Sequence, residues 1–219
     1  MDSLSIKILC DKIPRAYIKN ENCAIYCLAH HKMNIDIMAK SLIALFDAHK
    51  QAYPVYILGN TTFMSGVPSF NEVRQIYEKY NIFVHIIPYS QSKINTRIEC
   101  EAIINFFSAY CIQNVILVSP AFHSKRAYMT AVSVYLEKSP SVLMKIYSRP
   151  ATIFDWSEET ISHQGKTKCS FSDMVQLEEN RIKSYTLKGD IKKADQIEEY
   201  VDMRAKKKLN NQHINNNNA

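Results

Sequence analysis

Residues 115–127 read VILVSPAFHSKRA, an apolar run that stops at Ser119-Pro120 and delivers the chain into a histidine, a lysine and an arginine. His123 and Arg126 stand three apart, so at the start of a helix both project from one side. An arginine there can grip a phosphate or carboxylate through paired hydrogen bonds, helped by the helix's unsatisfied N–H groups. The histidine can donate to the same anion or carry a proton near neutral pH. The plain alternative is two solvated residues at a helix start.

A second group lies upstream, in INTRIECEA (94–102). Thr96 and Glu99 have the spacing of a capping box, in which hydroxyl and carboxylate satisfy each other's backbone N–H. Asn95 can instead close the turn itself. Glu101 faces either the site or solvent, and the choice between Glu99 and Glu101 stays open. Glu72, in the first turn of its own helix, can bind a ligand or simply favour the positive end of the helix dipole. His85 lies inside an apolar strand, where a satisfied core histidine is the expected reading. His30 and His31 follow a strand without a third ligand at metal spacing, so no metal site is predicted.

These residues need elements to position them. Apolar runs predict strands at 23–31, 54–59, 82–88, 114–119 and 141–148. Helical spacing predicts helices at 36–49, 73–80, 96–112 and 124–138. Five buried strands alternating with helices imply an α/β, Rossmann-like, three-layer domain with a mostly parallel sheet. Ligands of such sheets bind at the carboxyl ends of the strands. That rule selects the loops holding Ala29 to Lys32, Gly59 to Glu72, Tyr89 to Glu101 and Ser119 to Arg126. After Pro150, loop residues precede a helix at 171–188 stopped by Gly189, and Asp190 then offers a cap for a last helix through Arg204. The expected organisation is one domain over 1–204, with a core at 22–150, a helical extension at 151–204 and a disordered Lys/Asn-rich tail at 205–219.

Composition narrows the classes. The 219 residues hold only four glycines, and no glycine-rich phosphate loop is present. Six cysteines lack CxxC spacing, which predicts a reducing, cytoplasmic setting without disulfides or zinc. No apolar run reaches the ~18 residues of a membrane span. The net charge of +6 gathers partly at Lys206 to Lys208, a weak footprint that disfavours nucleic acid as partner.

Taken in order, Gly59, Glu72 within SFNEV, INTRIECEA (94–102) and VILVSPAFHSKRA (115–127) resemble the successive motifs of the SanA/ElyC/YdcF family. The likeness spans residues 22–150. It departs where Leu58-Gly59-Asn60 replaces a Ser-Gly-Gly turn and where Ala29-His30-His31 replaces a glycine-containing strand end. Without an N-terminal apolar segment, the chain looks like the cytosolic, YdcF-like branch. The resemblance implies a cluster of polar residues forming an active or binding site. The expectation is an anionic or nucleotide-like small-molecule ligand, with S-adenosylmethionine a candidate by fold analogy. Gly59, Asn60, Asn95, Thr96, Ser119 and Arg126 would bind it. His123, Glu72 and Glu99 or Glu101 would carry proton chemistry in a transferase or hydrolase. The alternative is a non-catalytic regulatory or interaction module linked to envelope or cell-wall processes. Oligomeric state is not legible.

Overall fold

Strands buried on both faces need apolar residues at every position, and the central strands of this protein have them. The computed structural model describes residue 4 and residues 22–59, 67–89, 94–138, 143–151, 159–162 and 167–216, the last eleven as backbone alone. β1 (Cys23–Cys27), β2 (Val55–Gly59), β3 (Val84–Pro88), β4 (Asn114–Pro120) and β5 (Lys145–Ala151) form one parallel sheet in the order β3-β2-β1-β4-β5. α1 (Lys32–His49) and α2 (Phe70–Glu78) cover one face, setting Met38, Leu42 and Ile76 against Ile25, Ile57 and Ile116. α3 (Thr96–Ala109) and α4 (Ala121–Lys138) cover the other, where Ile103, Phe107 and Ala131 meet Tyr26, Leu58 and Leu117. The architecture is the expected three-layer, Rossmann-like α/β fold.

β6 (Glu159–Ile161) and β7 (Lys168–Ser170) pair as a small antiparallel hairpin, followed by α5 (Phe171–Leu187) and α6 (Ala194–Asn216). The hairpin falls where sequence predicted a loop, because three-residue strands carrying Glu159 and Lys168 present no apolar run. α5 ends at Leu187, and Gly189 follows two residues on with a φ of 81°, which suits a residue without Cβ. Asp190 does not cap the next helix; its carbonyl accepts from Arg97 Nη1 at 2.6 Å. The backbone of α6 continues past Arg204 to Asn216.

Two strands differ instructively from expectation. β5 runs through Pro150, which an edge strand tolerates because one side of its backbone needs no ladder partner. β3 is the other edge, so His85 is exposed and lies against Tyr56, with ring centroids 5.1 Å apart, rather than sitting in the core. No helix among the described residues is long and apolar enough to cross a membrane.

Candidate functional site

β1 and β4 lie side by side at the centre of the sheet, and the chain leaves them for opposite faces, into α1 and α4. This divergence opens the crevice where ligands of open α/β sheets bind. Past β1, Leu28 N–H still donates to Val118 O at 3.0 Å, and His31 then caps α1 through Nδ1 to the Met33 N–H. His30, between them, is fully buried, its ring meeting that of His123 edge-on with centroids 4.9 Å apart.

α4 is packed by α3, α5 and α6 as well as by the sheet, so its first turns are not solvated. His123 is 0% exposed and Arg126 7%. Their common partner is Glu178 of α5, itself 3% exposed. His123 Nδ1 lies 3.0 Å from Glu178 Oε2, and Arg126 donates to both carboxylate oxygens, through Nε to Oε2 and Nη2 to Oε1. Arg181 pairs with the same Oε1, one helical turn away. Burial alone would raise the Glu178 carboxyl, but contact with His123 and Arg126 holds it well below the usual carboxylate range. Burial lowers the His123 pKa, and Arg126 lowers it further against the opposing pull of Glu178.

α3 supplies the second wall. Asn95 is its N-cap, accepting from the Ile98 N–H at 3.0 Å, so the Thr96–Glu99 capping box does not form. Thr96 Oγ1 instead accepts from Arg126 Nη1 at 2.9 Å. Glu99, also fully buried, turns towards β1, where Oε1 accepts from Tyr26 OH at 2.6 Å and from the Ala29 N–H at 2.7 Å. Its Oε2 has no hydrogen-bond partner among the described residues. Burial pushes the Glu99 carboxyl up to about 7, against the stabilising pull of Tyr26, Ala29 and Arg126. Among the described residues there is no group of three or more His, Cys, Asp and Glu able to hold a metal ion.

A cavity of about 210 Å³ opens beside Arg126, lined by Asn95, Thr96, Arg97, Arg126, Thr130, Tyr185, Asp190 and Ile191. The remaining candidates stand elsewhere. Glu101 lines an open groove of about 540 Å³ on another flank of α3, with Tyr89, Phe106 and Tyr110, and pairs with Arg97 at 3.3 Å. Glu72 is exposed and closes a capping box with Ser69, whose hydroxyl accepts from the Glu72 N–H while Glu72 Oε2 accepts from the Ser69 N–H. Gly59 has a packing reason: a Cβ there would meet Ile86 Cγ2 at 2.5 Å. The Ser119 and Ser124 hydroxyls pair with each other at 2.9 Å. Asn60 lies outside the described residues.

Sequence reasoning missed Glu178, Arg181, Tyr26 and Tyr185 as parts of this cluster. The Glu178–Arg181 spacing of one helical turn is the sole local signal, and nothing local ties Glu178 to His123, 55 residues away. No protein-family model matches the chain, and no curated protein or solved structure matches it either.

Proposed function

We propose that the protein is YdcF-like and binds an anionic small molecule, or the anionic end of a nucleotide-like one such as S-adenosylmethionine, in the cavity beside Arg126. The observation that carries this reading is that Asn95, Thr96 and Arg126 line one cavity together with a second cation, Arg97. Glu178 and Thr96 fix the Arg126 guanidinium, and no described residue takes the second Nη1 hydrogen. Tyr185 adds a hydroxyl for orientation, whereas the Thr130 hydroxyl donates to Arg126 O at 2.7 Å. At about 210 Å³ the cavity is smaller than the ~300–1,000 Å³ of drug-sized pockets, so it suits a phosphate or carboxylate group rather than a whole nucleoside. Transfer or hydrolysis would draw on His123, 3.0 Å from Arg126 Nη2, and on Glu99, although neither of them lines the cavity itself.

Thermal unfolding with inorganic phosphate, small carboxylic acids, nucleotides and S-adenosylmethionine tests the proposal. A ligand at a hundred times its Kd adds about 2.7 kcal/mol, or roughly 5–10 °C in Tm for a chain of this size. Arg97→Gln is the informative variant, because Arg126→Ala would strand the buried Glu178 charge. It is expected to weaken binding about tenfold or more. A folded protein whose Tm is moved by none of these compounds would overturn the reading.

A further inference from the structure

We infer that Glu178 is a positioning residue: it holds His123 in the tautomer protonated at Nδ1, making Nε2 the basic nitrogen of the ring. The use of that nitrogen at the site rests on the ligand-binding reading above; the tautomer does not. Two polar groups compete for Nδ1, with Glu178 Oε2 and Arg126 Nη2 each 3.0 Å away. If Nδ1 carries the proton, it donates to Glu178. If Nδ1 carries the lone pair, it accepts from Arg126, and the lone pair then also faces the carboxylate.

Charge decides between them. Glu178 is paired with Arg126 and Arg181, so its carboxylate is ionised and can only accept. Both bonds would be charge-assisted, one through the carboxylate and the other through the guanidinium, but a lone pair on Nδ1 would face the lone pairs of Glu178 Oε2 and be repelled. Arg126 does not need the imidazole, since Nη2 also reaches Glu178 Oε1 at 3.4 Å. The Nδ1–H form therefore satisfies Glu178 while Arg126 Nη2 keeps its bond to Oε1.

A neutral imidazole with its lone pair at Nε2 can take a proton from a hydroxyl or water, whose oxygen keeps the bonding electron pair. The resulting imidazolium would be stabilised through Nδ1–H by Glu178. His123 would thus be a proton acceptor oriented by a residue from a different part of the chain.

The test is a ring-nitrogen NMR measurement on the full, ligand-free chain near pH 7, with His123 identified among the seven histidines by loss of its signals in His123→Asn. The Nδ1–H tautomer is expected in at least about tenfold excess, the least a hydrogen bond to a charged group supplies. In Glu178→Gln the two tautomers should become comparable. A predominantly Nε2-protonated or doubly protonated ring in the wild type overturns the inference even if Glu178→Gln fails to fold. So does an unchanged tautomer ratio in folded Glu178→Gln. Failure of every ligand to bind would sink the proposed function and leave this result standing.

Discussion

Glu99 and Glu178 are buried carboxyls that both feel the charge of Arg126, yet their surroundings drive them in opposite directions. Glu99 has neutral donors on one oxygen and is lifted to about 7 by burial, above its ordinary value of 4.5. Glu178 is held down by contacts with His123 and Arg126. For Glu99, the folded chain keeps a proton that the unfolded chain releases between about pH 4.5 and 7, so its contribution to stability falls as pH rises through that window. For Glu178 the unfolded chain takes the proton first, so stability falls as pH drops below the ordinary glutamate value. Chemical denaturation of the wild type and Glu99→Gln across pH 4 to 8 isolates the first effect. The wild-type stability relative to the variant should drop by up to about 3 kcal/mol over that range. A difference independent of pH would show that Glu99 takes up its proton at the same pH in the folded and the unfolded chain. The sequence offered Glu99 and Glu101 as equals because both are glutamates near one helix start. Two helical positions put them about 200° apart, and which one faces inward depends on how α3 lies against β1, a tertiary fact.

At the scale of elements, the two edges of the sheet are treated differently. β3 leaves Ile86 39% exposed, with Phe83 at 81% just before it. β5 is closed by α6: the Tyr200 hydroxyl accepts from the Ile146 N–H at 2.8 Å and donates to Met144 O at 2.9 Å. Arg204 donates to Ile146 O, and its guanidinium lies 4.3 Å from the centroid of Tyr147. One tyrosine thus serves two backbone groups that would otherwise be buried beside an open edge. Tyr200→Phe keeps the ring and removes both bonds, so it should cost about 1–3 kcal/mol in denaturant-induced unfolding. A loss within experimental error would mean that water serves those groups as well. The boundaries of β5 were the poorest strand prediction for a related reason. Apolar pattern alone placed it at 141–148, whereas its register with β4, and its tolerance of Pro150 as an edge, carry it to Ala151.

Across the whole molecule, the layers were legible because their signals are local: apolar runs for strands, helical spacing between them, and the carboxyl-end rule for the crevice. His123, Arg126, Thr96 and Glu99 were placed at that edge for the same reason. The missing part, Glu178, arrives from a helix beyond the fifth strand, and its carboxylate is what makes burial of Arg126 tolerable. This dependence predicts the behaviour of a chain cut after Ala151, which retains all five strands of the main sheet. Such a chain loses Met174, Ile182, Ile191, Ile197 and Tyr200 from apolar contacts, each worth about 1.5–3 kcal/mol when fully buried. It also leaves Arg126 without its carboxylate, a break that costs about 3–5 kcal/mol for a buried pair. Against a typical domain stability of about 5–15 kcal/mol, these losses remove most or all of the margin. Residues 1–151 should therefore show no cooperative unfolding transition and a poorly dispersed amide spectrum, while the full chain shows both cooperativity and dispersion. A cut chain that unfolds cooperatively, within about 2 kcal/mol of the full protein, would mean that the sheet and its four helices carry the fold by themselves. The Glu178 cluster would then be an addition to the core rather than a condition of it.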